Sequence, residues 1–335
     1  MQFRNRFGWS LSRQALFEEC RRRYFFHYYL SWGGWQKNAP VIVREAFKLK
    51  RLITLPLWRG QLVHYVTSKV LKSMKVKGRI PERDEVLRYT AKRFLRQLEF
   101  SSARRYLAEP KKRGGRLNID WLGLIEHEYG RPLETERIER TRQECMQAVE
   151  GLFESSIIDR IQETDASSWE IEDLDHAEFS QSFPYEGVTV YMKTDFIFSE
   201  RDGTFNIVDW KTNRPPDRTG GEMRHDRTAR IQLGLYGYHA AIIRGIPVEL
   251  IRLYEVNLLE GGTATEYTIT EEDITLFDEY IRSGISLLSS VLVGGDTERN
   301  ESCAPDHFPP IENGICSTCN FFRICKDERF PHRLL

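Results

Sequence analysis

Two aspartates and a lysine are spaced along one stretch of the chain so that they could act together in chemistry. Residues 195–212 read as two strands separated by an Asp-Gly turn. Asp209 and Lys211 are two residues apart, and such residues point to the same face of a strand. If the hairpin pairs, Asp195 meets Asp209, and carboxylates of this kind bind Mg²⁺ or Mn²⁺. A metal there would activate water and neutralise charge on a phosphodiester, with Lys211 adding a fixed positive charge. For an isolated Asp-x-Lys, a solvated pair at a sheet edge is the commoner alternative.

The densest group of thiols lies near the C-terminus and consists of Cys316, Cys319 and Cys325. A metal centre with cysteine ligands requires four, and Cys20 or Cys303 would supply the fourth. The spacing favours an iron–sulfur cluster over structural zinc, because a zinc ribbon usually contains a second Cys-x-x-Cys pair. Zinc stays open as the alternative.

Four further side chains could complete the site around Asp209. His64 lies on a predicted helix, where a lone histidine is usually structural, although imidazole also binds Mn²⁺ beside carboxylates. Glu178, on the strand before the hairpin, could supply another carboxylate. Gln232 and Tyr236 share one face of a predicted helix, which would orient Lys211 or hold a phosphate. An ordinary surface pair is the alternative for these two.

Composition narrows the class of protein. The chain has 335 residues, of which 40% are hydrophobic and 12% aromatic, so a sizeable core is available and the composition is not typical of a wholly disordered chain. Its 49 basic and 49 acidic side chains cancel, so a nucleic-acid partner would have to bind local basic patches. No apolar run approaches the roughly 20 residues that span a bilayer. We expect a cytoplasmic protein without a membrane partner, whose clustered cysteines bind metal and do not form disulfides.

The elements that must position these residues change character along the chain. The predicted helices run from Ser10 or Ser12 to about Leu30, from near Trp58, and over 82–109, 133–163, 228–243 and 270–292. The predicted strands are 177–183, 188–198, 204–210, 249–257 and 265–269. The chain is therefore predicted to be α/β, with a mixed sheet in residues 170–270, a large helical N-terminal portion and a C-terminal cysteine cluster.

These motifs also occur in a recognisable order. The order is Gly60-x-x-x-His64, Glu178, Asp195, Asp209-x-Lys211 and Gln232-x-x-x-Tyr236. It resembles the RecB-like branch of the PD-(D/E)-x-K nuclease superfamily. One upstream cysteine followed by Cys-x2-Cys-x5-Cys is similar to the members of that branch with an iron–sulfur cluster, including CRISPR-associated exonucleases and AddB-type nuclease domains. The segment 191–194 departs from the family by lacking the glycine and arginine often found there, and the helices of 75–165 make the chain longer than the compact CRISPR nucleases.

The resemblance implies a fold and a role for each matching residue. The fold would be restriction-endonuclease-like, with a mixed central sheet flanked by helices. His64, Asp195 and Asp209 would bind a divalent metal, with the backbone carbonyl of Trp210 as a further ligand, and Lys211 would position or activate water. The residues that would support the active site are Glu178, Gln232 and Tyr236. Those that would hold a [4Fe–4S] cluster, and so pin the N-terminal helix to the C-terminal tail, are Cys20, Cys316, Cys319 and Cys325.

We therefore predict a Mg²⁺- or Mn²⁺-dependent DNA nuclease, an exonuclease on single-stranded DNA or DNA ends. The alternative is a non-catalytic DNA-binding or assembly subunit that serves a helicase–nuclease or CRISPR-type complex. The predicted segments are a cluster-contributing 1–57, a helical 58–168, a nuclease core 169–300 and a cysteine-rich 301–335. The basic residues predicted to contact DNA, with a solvated loop as the equal alternative, are Arg104, Arg105, Lys111, Lys112, Arg113 and Arg116.

Overall fold

Helices fill most of the first half of the chain, and the longer strands follow residue 180. The computed structural model describes residues 4–113, 116–172, 181–213, 222–312 and 314–326, and side chains in these ranges outside 112–117 and 222–229. The helices are α1 Leu11–Glu19, α2 Arg21–Phe25, α3 Val41–Leu49, α4 Leu55–Lys77, α5 Arg83–Ser102, α6 Ile125–Glu128, α7 Thr135–Glu154, α8 Ser156–Gln162, α9 Glu222–Tyr238, α10 Glu271–Ser289 and α11 Phe322–Lys326. The strands are β1 Gly8–Trp9, β2 Lys112–Arg113, β3 Arg116–Leu117, β4 Glu170–Ile171, β5 Gln181–Tyr185, β6 Val188–Met192, β7 Phe196–Ser199, β8 Phe205–Lys211, β9 Ile251–Asn257 and β10 Thr263–Tyr267.

The main sheet has five strands in the order β10-β9-β8-β7-β4. Strands β8 and β9 are parallel, whereas the other neighbours are antiparallel. The predicted hairpin forms: β7 pairs with β8 in a register that places Phe196 opposite Val208. A smaller sheet of three strands has the order β1-β6-β5. The fold is thus mixed α/β, which confirms the prediction and is consistent with a restriction-endonuclease-like architecture.

Alternation along β8 sends side chains to both faces of the main sheet. Val208 and Trp210 belong to an apolar core that also contains residues of α4, α5, α7 and α8. Phe205 and Ile207 belong to a second core with residues of α9, α10, the N-terminal helices and the smaller sheet. Because residues two apart share a face, Asp209 is directed to the α9 side. The sheet is therefore enclosed between two helical layers, and the polar end of β8 faces α9.

Two predicted elements are each interrupted in the structure. The strand predicted over 188–198 is two strands that join different sheets, β6 and β7. The helix predicted to reach Leu30 breaks at Cys20, whose backbone is extended (φ −165°, ψ 111°), and it ends in a π-helical turn. The bend brings the rings of Phe17 and Tyr24 to 5.2 Å between centroids, although seven residues of straight helix would separate them by about 10 Å. Burial of these aromatic rings stabilises the bend.

A third prediction, one helix over 133–163, is interrupted at Ser155. This residue is extended (φ −73°, ψ 128°) between α7 and α8. Its hydroxyl donates to the carbonyl of Gly262 at 2.8 Å, so a contact with the turn between β9 and β10 stabilises the break. Over the residues that the structure describes, no helix is both long enough and apolar enough to cross a membrane.

Candidate active site

The end of β8 brings a carboxylate and an ammonium side by side. Asp209 and Lys211 form an ion pair, and their side chains are 4% and 20% exposed. Strand β9 runs parallel beside them and supports this end of β8, with Asp209 opposite Glu255. The prediction that these two residues share one face is confirmed. Because Lys211 is the more exposed of the two, its ammonium can reach a molecule that approaches from solvent.

Helix α4 passes close to this strand end. A Cβ atom at Gly60 would lie 3.3 Å from the hydroxyl of Thr212, so glycine permits the close approach. One turn further along α4, His64 places Nδ1 3.1 Å from Oδ1 of Asp195. The other oxygen of Asp195 accepts the backbone N–H of Trp210 at 2.8 Å. Asp195 therefore connects α4 to β8, as the predicted order of the motifs requires.

A carboxylate that the sequence reasoning missed lies beside this pair. Glu172 directly follows β4, and its backbone N–H donates to the carbonyl of Asp195 at 3.0 Å. Its side chain is only 2% exposed and forms an ion pair with Lys193. His64, Glu172 and Asp195 each offer a ligand atom within 4.8 Å of the other two. A glutamate at the end of a short edge strand is the only sequence feature that could have indicated this ligand. Because the segment 170–178 contains several acidic residues, its sequence does not distinguish Glu172 from the others.

The face of α9 that was predicted to support the site does reach it. The Gln232 side-chain amide donates to Oδ1 of Asp209 at 2.9 Å and to the hydroxyl of Tyr236 at 2.7 Å. The Gln232 carbonyl oxygen accepts from Lys211 at 2.8 Å. Tyr236 in turn donates to the backbone carbonyl of Lys193. One amide thus fixes the relative positions of the carboxylate, the ammonium and the segment that precedes Asp195.

The two buried aspartates differ in their affinity for a proton. Burial raises the pKa of Asp195, but the charge and hydrogen bond of His64 and the Trp210 amide outweigh burial, so its pKa is lowered. Burial and the nearby charge of Asp195 raise the pKa of Asp209 to about 6, despite Lys211. For His64, burial lowers the pKa, but Asp195 outweighs it and the net pKa is raised. Bringing a second negative charge into this site is therefore costly, and a cation would relieve that cost.

The arrangement of atoms fits a divalent cation. Among the described residues, Oδ2 of Asp209 and Oε1 of Glu172 are buried and accept no hydrogen bond of ordinary geometry, although each lies against a lysine in an ion pair. Carboxylate oxygens with one imidazole nitrogen are a donor set that suits Mg²⁺ and especially Mn²⁺. Asp209 lies outside the three-residue group of His64, Glu172 and Asp195 and faces Lys211 instead.

The other residues predicted to bind the metal, complete the site or contact DNA are Glu178, Trp210 and the basic residues between Arg104 and Arg116. Glu178 lies outside the described residues, as do the side chains of Lys112, Arg113 and Arg116. Arg104 is ion-paired with Glu128 at 2.9 Å, and Arg105 is paired with Glu109 at 2.7 Å. Trp210 is buried on the opposite face of β8. The predicted basic patch is therefore partly neutralised by its own carboxylates.

The cysteines predicted to share a cofactor lie near one another in the structure. Burial and the neighbouring thiols of Cys325 and Cys20 raise the pKa of Cys319. Burial and the thiols of Cys20 and Cys316 raise the pKa of Cys325. Aromatic packing joins the N-terminal helix to the tail here, with the rings of Phe26 and Phe321 5.6 Å apart. Cys303 is partly buried against the same core.

Comparison with known proteins agrees with this geometry. A search of curated proteins found no match. A model of the PD-(D/E)XK nuclease superfamily matches residues 8–326, a span that includes every residue of the site described above. Members of this superfamily are nucleases that use divalent metals, and a buried group of carboxylates and imidazole is present. The chain belongs to the PD-(D/E)XK nuclease superfamily.

Proposed function

We propose that this nuclease is a RecB-like, divalent-metal-dependent deoxyribonuclease that acts on single-stranded DNA or DNA ends and contains a structural [4Fe–4S] cluster. The observation that carries the proposal is the convergence of His64, Glu172, Asp195 and Asp209 in one buried site with Lys211 at its more exposed edge. Such a combination provides cation ligands and a positive charge for a phosphodiester at one site.

The proposed ligands of the cation are His64, Glu172, Asp195 and Asp209, with the Trp210 carbonyl as a further candidate. When bound, Mg²⁺ or Mn²⁺ supplies activation of water and neutralisation of charge at phosphorus. Lys211 would orient the attacking water or stabilise the negative charge that develops. Gln232 maintains the Lys211 geometry through its 2.8 Å hydrogen bond, and Tyr236 would hold the segment before Asp195 in place.

Lys193 is suited to contact the phosphate backbone of the substrate. Its side chain is 47% exposed, whereas its partner Glu172 is buried. If Glu172 binds a cation, the ion pair with Lys193 weakens and the ammonium becomes available to a phosphate oxygen. A cation on Glu172 and a DNA strand on Lys193 would therefore favour each other.

The four thiols support the cluster part of the proposal. The thiols of Cys20 and Cys325 lie close enough to Cys319 to raise its pKa, and those of Cys20 and Cys316 raise the pKa of Cys325. Four thiolates grouped in this way can hold a [4Fe–4S] cluster, with structural zinc as the alternative. In this proposal segments 1–57 and 301–335 close the cluster site, around the helical segment 58–168 and the nuclease core 169–300.

The test combines metal analysis with cleavage. Protein purified without oxygen is assayed for iron and acid-labile sulfide, and for Mn²⁺-dependent cleavage of labelled single- and double-stranded DNA. Parent protein is compared with Lys211→Ala and with a matched lysine on the exposed face of α5, Lys92→Ala. We expect cleavage that is lost in Lys211→Ala and unchanged in Lys92→Ala, with all three proteins folded at the assay temperature.

Other results would contradict separate parts of the proposal. Equal cutting by Lys211→Ala and the parent would show that the active site has been assigned wrongly. Iron and sulfide without cleavage of any DNA would indicate the non-catalytic assembly subunit of a helicase–nuclease or CRISPR-type complex. Zinc in place of iron would reject the cluster and leave the nuclease site intact.

A further inference from the structure

A row of aromatic and basic side chains, some exposed and some half-buried, connects the loop before α3 to Lys111 and Trp121. We call it the aromatic–basic ladder, and its members are Trp32, Trp35, Phe47, Arg51, Trp121 and Lys111. Neither the proposed catalytic residues nor the four cysteines belong to it. We propose that the ladder binds unpaired bases and phosphates of single-stranded DNA, an inference that rests on the proposed function and specifies where its substrate lies.

The members of the ladder contact one another in sequence. The rings of Trp32 and Trp35 are 5.0 Å apart and nearly perpendicular, and those of Trp35 and Phe47 are 5.9 Å apart. The Arg51 guanidinium lies 5.4 Å from the Phe47 ring centroid and 4.4 Å from that of Trp121. The Lys111 ammonium lies 5.6 Å from the Trp121 ring centroid. Three rings are therefore followed by a cation, a fourth ring and a second cation.

The outer rings are exposed more than packing alone would require. Trp32 is 37% exposed and Trp35 is 44% exposed, although each could bury a large apolar area. Trp121 is held in place by a hydrogen bond of 3.1 Å from its indole N–H to the carbonyl of Glu109. Rings that are fixed before binding lose little conformational entropy when a base stacks on them.

A cavity of about 190 Å³ adjoins the ladder and shares Arg51 and Trp121 with it. Its lining includes the basic Lys48, Arg51, Arg104 and Arg323 and the acidic Glu45 and Glu128. Arg104 and Arg323 pair with Glu128, and Lys48 and Arg323 pair with Glu45. Four basic groups against two carboxylates still give the lining a net positive charge, which favours a polyanion. Cations beside the rings would not favour a protein partner that binds by apolar contact. Single-stranded nucleic acid binds both through stacking of its bases on aromatic rings and through its charged backbone.

The ladder is also placed to deliver a strand to the proposed active site. Leu52 lines the cavity, and α4 begins three residues later at Leu55. From Leu55 to His64 the helix rises about 14 Å. Early in α4, Arg59 donates to the carbonyl of Thr212 at 2.8 Å, directly beyond Lys211. The cavity beside the ladder is therefore connected to His64 by about two and a half turns of α4.

The test measures binding in the absence of cleavage. A fluorescein-labelled dT20 oligonucleotide is titrated with protein in EDTA and followed by anisotropy, with a blunt duplex of 20 base pairs as the comparison. Because base–aromatic stacking is lost, Trp35→Ala is expected to bind dT20 about 5- to 100-fold more weakly than the parent. Trp35→Phe retains a ring and should stay within about threefold of the parent. Duplex binding should not change, because its bases are already stacked on one another.

Two controls keep the result interpretable. Val76 is an exposed apolar residue at the other end of α4, and Val76→Ala should bind dT20 as the parent does. Trp32→Ala tests the ladder independently should Trp35→Ala melt at a lower temperature. Equal dT20 affinity in the parent, Trp35→Ala and Trp32→Ala would contradict DNA binding by the ladder. An equal loss of affinity for dT20 and for the duplex would also contradict it.

The ladder and the nuclease assignment can fail separately. One outcome is that Mn²⁺-dependent cleavage is lost in Lys211→Ala while the tryptophan variants bind dT20 as tightly as the parent. This would support the nuclease proposal and contradict DNA binding by the ladder. Weaker dT20 binding by Trp35→Ala in a protein that cuts no DNA would support the ladder as a binding site and reject the nuclease.

Discussion

Replacing Asp209 by asparagine should inactivate the enzyme and yet stabilise the metal-free fold at alkaline pH. Burial and the Asp195 charge raise the pKa of Asp209 to about 6, whereas an aspartate in an unfolded chain titrates near 3.9. Between these values the folded state binds a proton that the unfolded state does not. The stability contributed by this group is therefore complete below about pH 4 and is lost as the pH rises through about 6.

The size of the effect follows from the shift. A difference of about two pKa units between the folded and unfolded states lowers the free energy of unfolding of the parent by about 3 kcal/mol at pH 8. Asp209→Asn has no carboxylate at this position and does not lose this stability. Asparagine still accepts from Gln232 through its oxygen, where Asp209 now accepts at 2.9 Å. Its amide nitrogen, however, faces the Lys211 ammonium that pairs with Oδ2. We therefore expect a net gain of about 1–2 kcal/mol, which raises the melting temperature of a chain of 335 residues by about 1–3 °C.

The assay is thermal and urea unfolding in EDTA at pH 5 and pH 8, with Glu279→Gln on the exposed face of α10 as the control for loss of one negative charge. The difference in unfolding free energy between Asp209→Asn and the parent should be near zero at pH 5 and largest at pH 8. Mn²⁺ should raise the melting temperature of the parent more than that of the variant, because the variant lacks the Asp209 carboxylate and keeps only His64, Glu172 and Asp195 as proposed ligands. A variant that is less stable than the parent at pH 8 in EDTA would refute the electrostatic reasoning.

Three other changes test different parts of the molecule. Glu172→Gln should weaken Mn²⁺ binding at least about tenfold by calorimetry, whereas Glu170→Gln, two residues earlier and 45% exposed, should not; equal affinities would remove Glu172 from the ligands. Cys319→Ala should lower both iron content and melting temperature, whereas Cys303→Ala should retain iron; full iron and unchanged melting in Cys319→Ala would contradict the cluster. Burial opposes ionisation of Glu128, but hydrogen bonds from two arginines and a tyrosine outweigh it and lower its pKa. The stability contributed by the Glu128 carboxylate is present above about pH 4.3 and is lost as the pH falls through the lowered pKa. Glu128→Gln should therefore lower the free energy of unfolding by about 1–3 kcal/mol at pH 7 and by less at pH 3. An equal loss at both pH values would exclude this carboxylate as an acid-sensitive group.

The local features of the site could be predicted from the sequence because they depend on short spacings. Asp209 and Lys211 share a face since the side-chain period of a strand is two. Gln232 and Tyr236 share a helix face since four residues make about one turn. The Asp-Gly turn between two β-rich runs was enough to predict the hairpin that brings Asp195 to β8. The mixed α/β fold followed from the same patterns.

Only the tertiary structure decided which distant residues join the site. Glu172 becomes a candidate ligand because the edge strand β4 pairs with β7 and places it against Asp195, a pairing that no local pattern in the acidic segment 170–178 indicates. The break at Cys20 arises from aromatic packing on both sides of the bend, which outweighs the helical pattern of the segment. The aromatic–basic ladder joins a loop, α3 and the segment before α6, so its continuity depends on packing between elements and not on spacing along the chain. Short-range geometry is encoded by neighbouring residues, whereas these contacts depend on which elements the two cores hold together.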